Sequence, residues 1–164
     1  MKRSFELLAI TRKNFVDILE ETSPEILFTI PEGFNNHIFW NIIHVVASQQ
    51  LLVYGLSQTP FRIDKDIIFQ FKTGTVPTET IDTGMIQFAK DHLLSTIDQL
   101  SEDYQNGIFG DPKVNGFKPI KTSYGMPINK VEDAIEFCVL HEAMHYGQIK
   151  MMQKVLAAMP VKNT

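Results

Sequence analysis

The sequence contains a single cysteine, Cys138, among its 164 residues. One thiol cannot form an internal disulfide, and a zinc site built from several cysteines is excluded. A chain of this composition suits a reducing compartment. We therefore expect a cytoplasmic protein.

The sequence also lacks an excess of positive charge. Lys and Arg together number 15 against 19 Asp and Glu, which gives a net charge of -4 at pH 7. A broad nucleic-acid-binding face needs surplus Lys and Arg to neutralise phosphates. The charge balance therefore predicts a protein without a nucleic-acid partner.

Long uninterrupted apolar runs are missing as well. The most apolar stretch, residues 38–56, is interrupted by polar side chains that include Asn41, His44 and Ser48. A lone bilayer span does not tolerate so many polar groups, so we expect no membrane partner. With 44% apolar and 21% charged residues, the composition is typical of a compact protein. At this length it predicts one domain over residues 1–164.

Apolar periodicity and helix-end signals predict four long helices. They span residues 4–21, 36–56, 78 or 80 to about 100, and 129–158. The second helix is apolar almost all round and should be central. Asn129 and Glu132 predict a capping box at the start of the last helix.

Two long Gly- and Pro-rich connections join these helices. The first covers residues 59–77, and the second covers residues 101–128. The glycines and prolines of the second connection exclude helix there and leave short extended pieces at residues 107–109 or 117–120. The expected fold class is an all-α helical bundle.

The last predicted helix carries two histidines on its inner stripe. His141 and His145 are four residues apart, so their side chains project from one helix face about 5–6 Å apart. This is the spacing at which two imidazoles bind one metal ion. The alternative is a pair of core histidines that form separate hydrogen bonds.

Residues 141–145 match the pattern H-E-x-x-H, in which the Glu of a metalloprotease is a general base. Those enzymes take a third ligand downstream, but no His, Asp, Glu or Cys follows His145. A third ligand must therefore come from upstream. His44 is an ionisable residue in an apolar helix and needs a partner. A neighbouring helix in a bundle would present His44 to His141 and His145, giving a three-histidine site with open positions.

These motifs resemble the DinB-like (DinB/YfiT) superfamily of metal-dependent enzymes. The resemblance lies in W-N-I-I-H at residues 40–44, the long Gly-rich link, and H-x-x-x-H-x-G-Q-I at residues 141–149. It implies an antiparallel four-helix bundle, commonly a homodimer. It also implies zinc or nickel held by His44, His141 and His145. Some relatives transfer or isomerise substrates with low-molecular-weight thiols such as bacillithiol or mycothiol.

The expected function is that of a divalent-metal-dependent transferase or hydrolase that activates a low-molecular-weight thiol or water for a small-molecule substrate. Two alternatives stay open: a metal-binding structural or ligand-binding bundle without turnover, and an H-E-x-x-H hydrolase. No catalytic residue is assigned. Glu142 lies about 100° from the histidine face, and it is either a candidate base or a rim or helix-packing carboxylate.

Three polar residues near the histidines are candidates for the pocket. Asn41 and Ser48 flank His44 on its own helix face, and Gln148 follows His145 by three residues. Such groups hold a ligand's polar atoms or orient imidazoles through their second nitrogen. They could equally satisfy one another across the core.

For some other residues, the sequence allows either a functional role or a purely structural one. His37 is a candidate fourth ligand or a solvated residue at a helix start, and Cys138 is a small core residue or a pocket thiol. His92 is expected at the surface. Gly147 predicts that another backbone approaches the last helix closely, because glycine in a helix interior otherwise costs about 1 kcal/mol.

Overall fold

The computed structural model describes residues 1–77, 80–110 and 116–158, and most of them are helical. The helices are α1 (Lys2–Glu21), α2 (Pro24–Leu27), α3 (Ile38–Gln49), α4 (Lys65–Gln70), α5 (Thr83–Gln105) and α6 (Val131–Ala158). A small antiparallel hairpin of β1 (Ile120–Lys121) and β2 (Pro127–Ile128) precedes α6. The all-α class predicted from the periodicity is confirmed.

Helix α3 is the centre of the molecule. All of its 12 residues are buried. It begins where Nδ1 of His37 accepts a hydrogen bond from the backbone N–H of Trp40 at 2.9 Å, and it continues as a π-helix over Gln50–Gly55. Because one chain covers the whole of α3, the apolar surface of this helix gives no argument for a dimer. That expectation depends on the family resemblance alone.

The four long helices pack against one another around two buried apolar clusters. Helix α3 contacts α5 and α6, and α1 contacts the same two helices. The first cluster contains Leu19, Phe39, Leu93 and Met152. The second contains Leu8, Tyr54, Leu100 and Ala134. In the described part of the chain, no helix is both long enough and apolar enough to cross a membrane.

The third long helix differs from its prediction at both ends. It begins at Thr83, where Oδ1 of Asp82 accepts a hydrogen bond from the backbone N–H of Met85 at 3.0 Å. The proposed start at residue 78 lies outside the described residues. The helix ends at Gln105, so the exclusion of helix from residues 101–128 is wrong for residues 101–105. Contacts with other parts of the chain stabilise this last turn of the helix, because Asp103 is buried and bonds Arg62 and Tyr54.

The connections hold more structure than their composition suggests. Residues 59–77 contain α4, whose N-terminus is capped by Oδ1 of Asp64 accepting from the N–H of Asp66 at 2.7 Å. In the second connection the strands lie at 120–121 and 127–128, so the predicted extended pieces are misplaced except at residue 120.

The predicted capping box at α6 is also wrong. The backbone N–H of Asn129 donates to Oδ2 of Asp133 at 2.8 Å. Oε1 of Glu132 instead accepts from the hydroxyl of Tyr104 at 2.9 Å.

Candidate metal centre

The structure brings His44, His141 and His145 together between α3 and α6. One ring nitrogen from each histidine lies within 4.8 Å of the other two. Nε2 of His141 and Nε2 of His145 lie 3.2 Å apart. The three residues predicted from the sequence therefore form one cluster of ring nitrogens that could hold a metal ion.

The imidazole of His44 is held through its outward nitrogen. Nδ1 lies 2.6 Å from the backbone oxygen of Phe71, and a carbonyl only accepts hydrogen bonds. Nδ1 therefore carries the proton and donates it, which leaves a lone pair on Nε2. The indole of Trp40 stacks on the ring, with centroids 4.5 Å apart and planes inclined by 9°, and so fixes the ring plane.

The imidazole of His145 is held in the same way by Asn41. Nδ1 of His145 lies 2.8 Å from Oδ1 of Asn41. The side-chain nitrogen of Asn41 donates to Oδ1 of Asn36 at 2.9 Å and to the backbone oxygen of His37 at 3.0 Å. These bonds fix the amide with its oxygen toward His145, so Nδ1 donates and the Nε2 lone pair faces His141.

The other two predicted neighbours occupy different positions. Oγ of Ser48 lies 3.2 Å from Nε2 of His44, the nitrogen that faces the cluster. Gln148 is half-buried, and among the described residues its side chain forms no hydrogen bond. Of the three candidates, Asn41 orients an imidazole, Ser48 contacts a ligand nitrogen, and Gln148 does neither.

Burial keeps the three imidazoles neutral at pH 7. It lowers the pKa of His44, against a hydrogen bond to Phe71 that raises it. Burial and then the neighbouring His44 lower the pKa of His141 to about 4. Burial and the neighbouring His141 lower the pKa of His145 to about 3. Metal ligation requires deprotonated imidazole nitrogens, and this cluster supplies them.

Glu142 is neither on the rim of the cluster nor directed into it. Its side chain is 1% exposed, and its two carboxylate oxygens accept from Nε and Nη2 of Arg12 at 2.8 and 2.7 Å. Burial raises the pKa of Glu142, while the guanidinium acts in the opposite direction. Held in this way, the carboxylate is not placed to take a proton from a water, so the geometry gives no support to an H-E-x-x-H base.

Arg12 is a residue that the sequence reasoning missed, although a signal was present. The buried residues of α1 include Leu8, Arg12, Phe15 and Leu19, which follow one another at steps of four, three and four. An arginine in the middle of such an apolar stripe requires a buried partner. The backbone oxygen of Phe71 was also missed, and no residue type signals it.

The remaining candidates lie outside the cluster. His37 is buried as the N-cap of α3, so its prediction as a solvated residue is wrong. Cys138 is 1% exposed, and burial raises the pKa of its thiol. His92 is half-buried, with Nδ1 2.8 Å from the backbone oxygen of Phe88. Gly147 is exposed, and a Cβ there would meet no atom within 4 Å, so the predicted close approach of a backbone is wrong.

A pocket of about 340 Å³ opens next to the cluster. Ser48 and His141 of the cluster region line it, and Leu51 and Phe137 contribute apolar walls. Residues 120–123, from β1 and the turn that follows it, also line the pocket. A small molecule in this pocket would contact His141.

The sequence model of the DinB superfamily matches residues 7–149. The matched segment includes all three histidines of the cluster, together with Asn41 and Ser48. No curated protein matches the chain.

Proposed function

The chain belongs to the DinB superfamily, and we propose that it is a divalent-metal-dependent enzyme whose ion is held by His44, His141 and His145. One observation carries the proposal. Three neutral imidazoles converge beside a pocket that reaches one of them. A centre with a purely structural ion has no need of such an opening, which is why we favour an enzyme over a non-catalytic bundle.

We propose zinc or nickel as the ion. Neutral imidazole is a good ligand for both metals, and three protein ligands leave coordination positions open. When bound, such an ion supplies a Lewis acid that lowers the pKa of a coordinated water or thiol toward neutrality.

The chain's own residues would prepare the site for this chemistry. Asn41 and the backbone oxygen of Phe71 hold the protons on the outward nitrogens of His145 and His44. Leu51 and Phe137 give the pocket apolar walls, and Ser48 also lines it, so that its hydroxyl is within reach of a bound substrate. The residues thus orient the ligands and shape the space in which a substrate reacts.

The reactive thiol, in this proposal, comes from a low-molecular-weight cosubstrate. Cys138 is the single cysteine of the chain, and it is buried with a raised thiol pKa. A buried thiol of this kind is a poor nucleophile. The reaction class is therefore a transferase that uses an external thiol, or a hydrolase that uses water.

We further propose that α1, α3, α5 and α6 form the antiparallel four-helix bundle typical of the family. The two apolar clusters support this arrangement. The first half of α1, the second half of α5 and the first half of α6 share one cluster through Leu8, Leu100 and Ala134. The opposite ends share the other cluster with the start of α3. Helix α1 then runs opposite to α5, and α3 runs opposite to α6.

The proposal extends to a cytoplasmic homodimer without a nucleic-acid or membrane partner. The cytoplasmic location is supported by the single cysteine and the absence of any disulfide that it could form. The homodimer is supported by the family resemblance. The acidic net charge supports the exclusion of nucleic acid.

The test of the enzyme proposal is turnover by metal-loaded protein. The protein is incubated with a panel of low-molecular-weight thiols and electrophilic esters, and loss of free thiol and release of acid are followed. We expect turnover that disappears with a chelator and in His145→Ala but persists in His92→Ala. Metal-loaded protein that turns over nothing in the panel, or no faster than His145→Ala, would contradict the proposal in favour of a non-catalytic metal bundle.

A further inference from the structure

Arg12 crosses the core at the level of the histidine cluster. Its side chain is completely buried, and its guanidinium donates to groups on each of the other three long helices. On α6 it forms the bidentate ion pair with Glu142 already described. This carboxylate belongs to the residue that directly follows His141.

The same guanidinium also bonds the backbone of α3 beside the third histidine. Nη2 lies 3.4 Å from the backbone oxygen of Val45, the residue that directly follows His44. It also lies 3.4 Å from Oε1 of Gln49, one turn further along α3. One rigid, planar group therefore contacts both helices that contribute histidines, at the residue next to a histidine in each case.

Helix α5 provides the remaining partners. Nη1 of Arg12 donates to the backbone oxygen of Leu93 at 3.2 Å and to Oγ1 of Thr96 at 3.3 Å. The side-chain amide of Gln49 donates to the backbone oxygen of Thr96 at 3.2 Å. The polar network is therefore connected across all four long helices.

We propose that Arg12 and Glu142 are positioning residues for the metal centre, which set the separation between His44 and the two histidines of α6. The proposal rests on the proposed function, because it assigns these residues a role toward the ion held there. Stability alone is a poor reason for this pair. A buried ion pair costs so much desolvation that well-packed apolar residues of similar volume are often as stabilising. A bidentate ion pair adds directional bonds that fix the relative position of the two groups it joins.

The test removes both charges together, so that neither is left buried alone. Arg12→Met/Glu142→Leu keeps the side-chain volumes close to the original. Circular dichroism and thermal unfolding establish that the variant is folded, and Co²⁺ is the probe of the site. We expect folded protein with Co²⁺ affinity lowered about 10- to 100-fold, the range typical of partners behind metal ligands. We also expect a changed Co²⁺ absorption spectrum, which reports the ligand geometry.

The chain offers a matched control in a second ion pair, which is partly buried. Arg62 donates to Asp103 at 2.8 and 2.9 Å, and Asp103 also accepts from the hydroxyl of Tyr54. Among the described residues, the hydrogen bonds of Arg62 and Asp103 do not involve any histidine of the cluster. Arg62→Met/Asp103→Leu should leave Co²⁺ affinity and spectrum unchanged.

Each outcome decides for or against the proposal. A folded Arg12→Met/Glu142→Leu variant with the affinity and spectrum of the unmodified protein overturns it. If the double variant does not fold, Arg12→Lys takes its place, because lysine keeps the charge but lacks the planar fork that reaches both helices. We then expect weaker Co²⁺ binding with a changed spectrum, and unchanged binding overturns the proposal. Unmodified protein that binds no Co²⁺ refutes the proposed function itself, and the positioning role with it.

Discussion

Each of two imidazoles in the cluster is oriented by the nitrogen that faces away from the other histidines. His145 donates to Asn41 and His44 donates to the backbone oxygen of Phe71. Ser48 differs because it contacts a nitrogen that faces the cluster. Asn41 and Ser48 both flank His44 in the sequence, but they would affect a bound ion in opposite ways. Asn41 orients a ring from outside the cluster, whereas Ser48 contacts a nitrogen that the ion would need.

This difference predicts opposite effects of two substitutions. Asn41→Leu removes the acceptor that holds the tautomer of His145, and metal affinity should fall about 10- to 100-fold. Ser48→Ala removes a hydrogen bond that competes for the lone pair of His44, so affinity should not fall. Competition titrations with a chromophoric chelator measure both. If Ser48→Ala bound the metal more weakly while Asn41→Leu bound it as tightly as the unmodified protein, our assignment of the outward nitrogen of His145 and the inward nitrogen of His44 would be wrong.

The lowered histidine pKa values make the stability of the metal-free protein depend on pH. The pKa of His145 is about 3 in the folded protein, whereas an unfolded histidine titrates near 6.5. As the pH falls below 6.5, the unfolded state binds the proton first. The free energy of unfolding therefore declines toward low pH, by about 2 kcal/mol for one such histidine at about pH 5.

His145→Gln isolates this contribution, because glutamine does not titrate. We expect the metal-free unmodified protein to lose about 2 kcal/mol more stability than His145→Gln between pH 7 and about pH 5. Urea unfolding in the presence of a chelator measures both losses. Equal losses in the two proteins would show that His145 is not held neutral in the fold.

At the residue scale, the sequence was sufficient to predict the three histidines but not all of the groups that hold their rings in place. The i, i+4 spacing of His141 and His145, and the apolar surroundings of His44, were sufficient to predict the cluster. The contact of His44 with the backbone oxygen of Phe71 was not predictable, since every residue type carries that group. The sequence left Glu142 open as a base, a rim or a helix-packing carboxylate, because its partner, Arg12, is 130 residues away in the sequence.

Helix α6 contains an exposed glycine that no packing contact explains. Apart from the neighbouring backbone of α6 itself, a Cβ at Gly147 would meet no atom of the described residues within 4 Å. Gly147→Ala should therefore stabilise the protein by about 0.5–1 kcal/mol, because alanine loses less conformational entropy in a helix interior. Thermal or urea unfolding measures the change. Destabilisation would indicate a close contact at this face that one chain does not provide.

Gly116 provides the opposite case for comparison. Its backbone has a φ of +72°, and an added Cβ would lie 2.6 Å from Nε2 of Gln58. Gly116→Ala should lower stability by about 1 kcal/mol or more, since alanine is strained in this left-handed region. The two Gly→Ala substitutions together separate helix propensity from backbone strain.

At the element scale, periodicity predicted which segments are helical better than where they end. Helix α5 extends past the Gly- and Pro-based boundary because Asp103 bonds Arg62 and Tyr54. The start of α6 is held by Asp133 instead of Glu132, which bonds Tyr104. These ends are determined by side chains from other elements, and a local pattern does not include them.

For the whole molecule, a bound ion should add to the stability of the fold. It would link α3 to α6, and a ligand at about 100 times its dissociation constant stabilises by about 2.7 kcal/mol. For a chain of this length, chelation should lower the unfolding temperature by about 5–10 °C. Differential scanning fluorimetry with and without chelator measures this shift. His145→Ala should show no shift, and an equal shift in that variant would place the ion elsewhere.

The sequence supported the predicted fold class more strongly than the predicted homodimer. The all-α class followed from four periodic segments that each need a buried face. The homodimer is implied by the family resemblance, and the apolar surface of α3 adds no support to it, because Trp40, Val45 and the rest of that helix are covered within one chain. Periodicity shows that a surface is apolar, and it does not show which chain covers it.

The central claim is that His44, His141 and His145 hold one metal ion, and metal analysis of dialysed protein tests it most directly. We expect one equivalent of a divalent ion in the unmodified protein, and the same in His37→Ala and His92→Ala. Each of His44→Ala, His141→Ala and His145→Ala should lose it, because two neutral ligands rarely hold a divalent ion through dialysis. An unmodified protein without metal, or a His44→Ala variant that keeps its equivalent while His37→Ala loses it, would contradict the account.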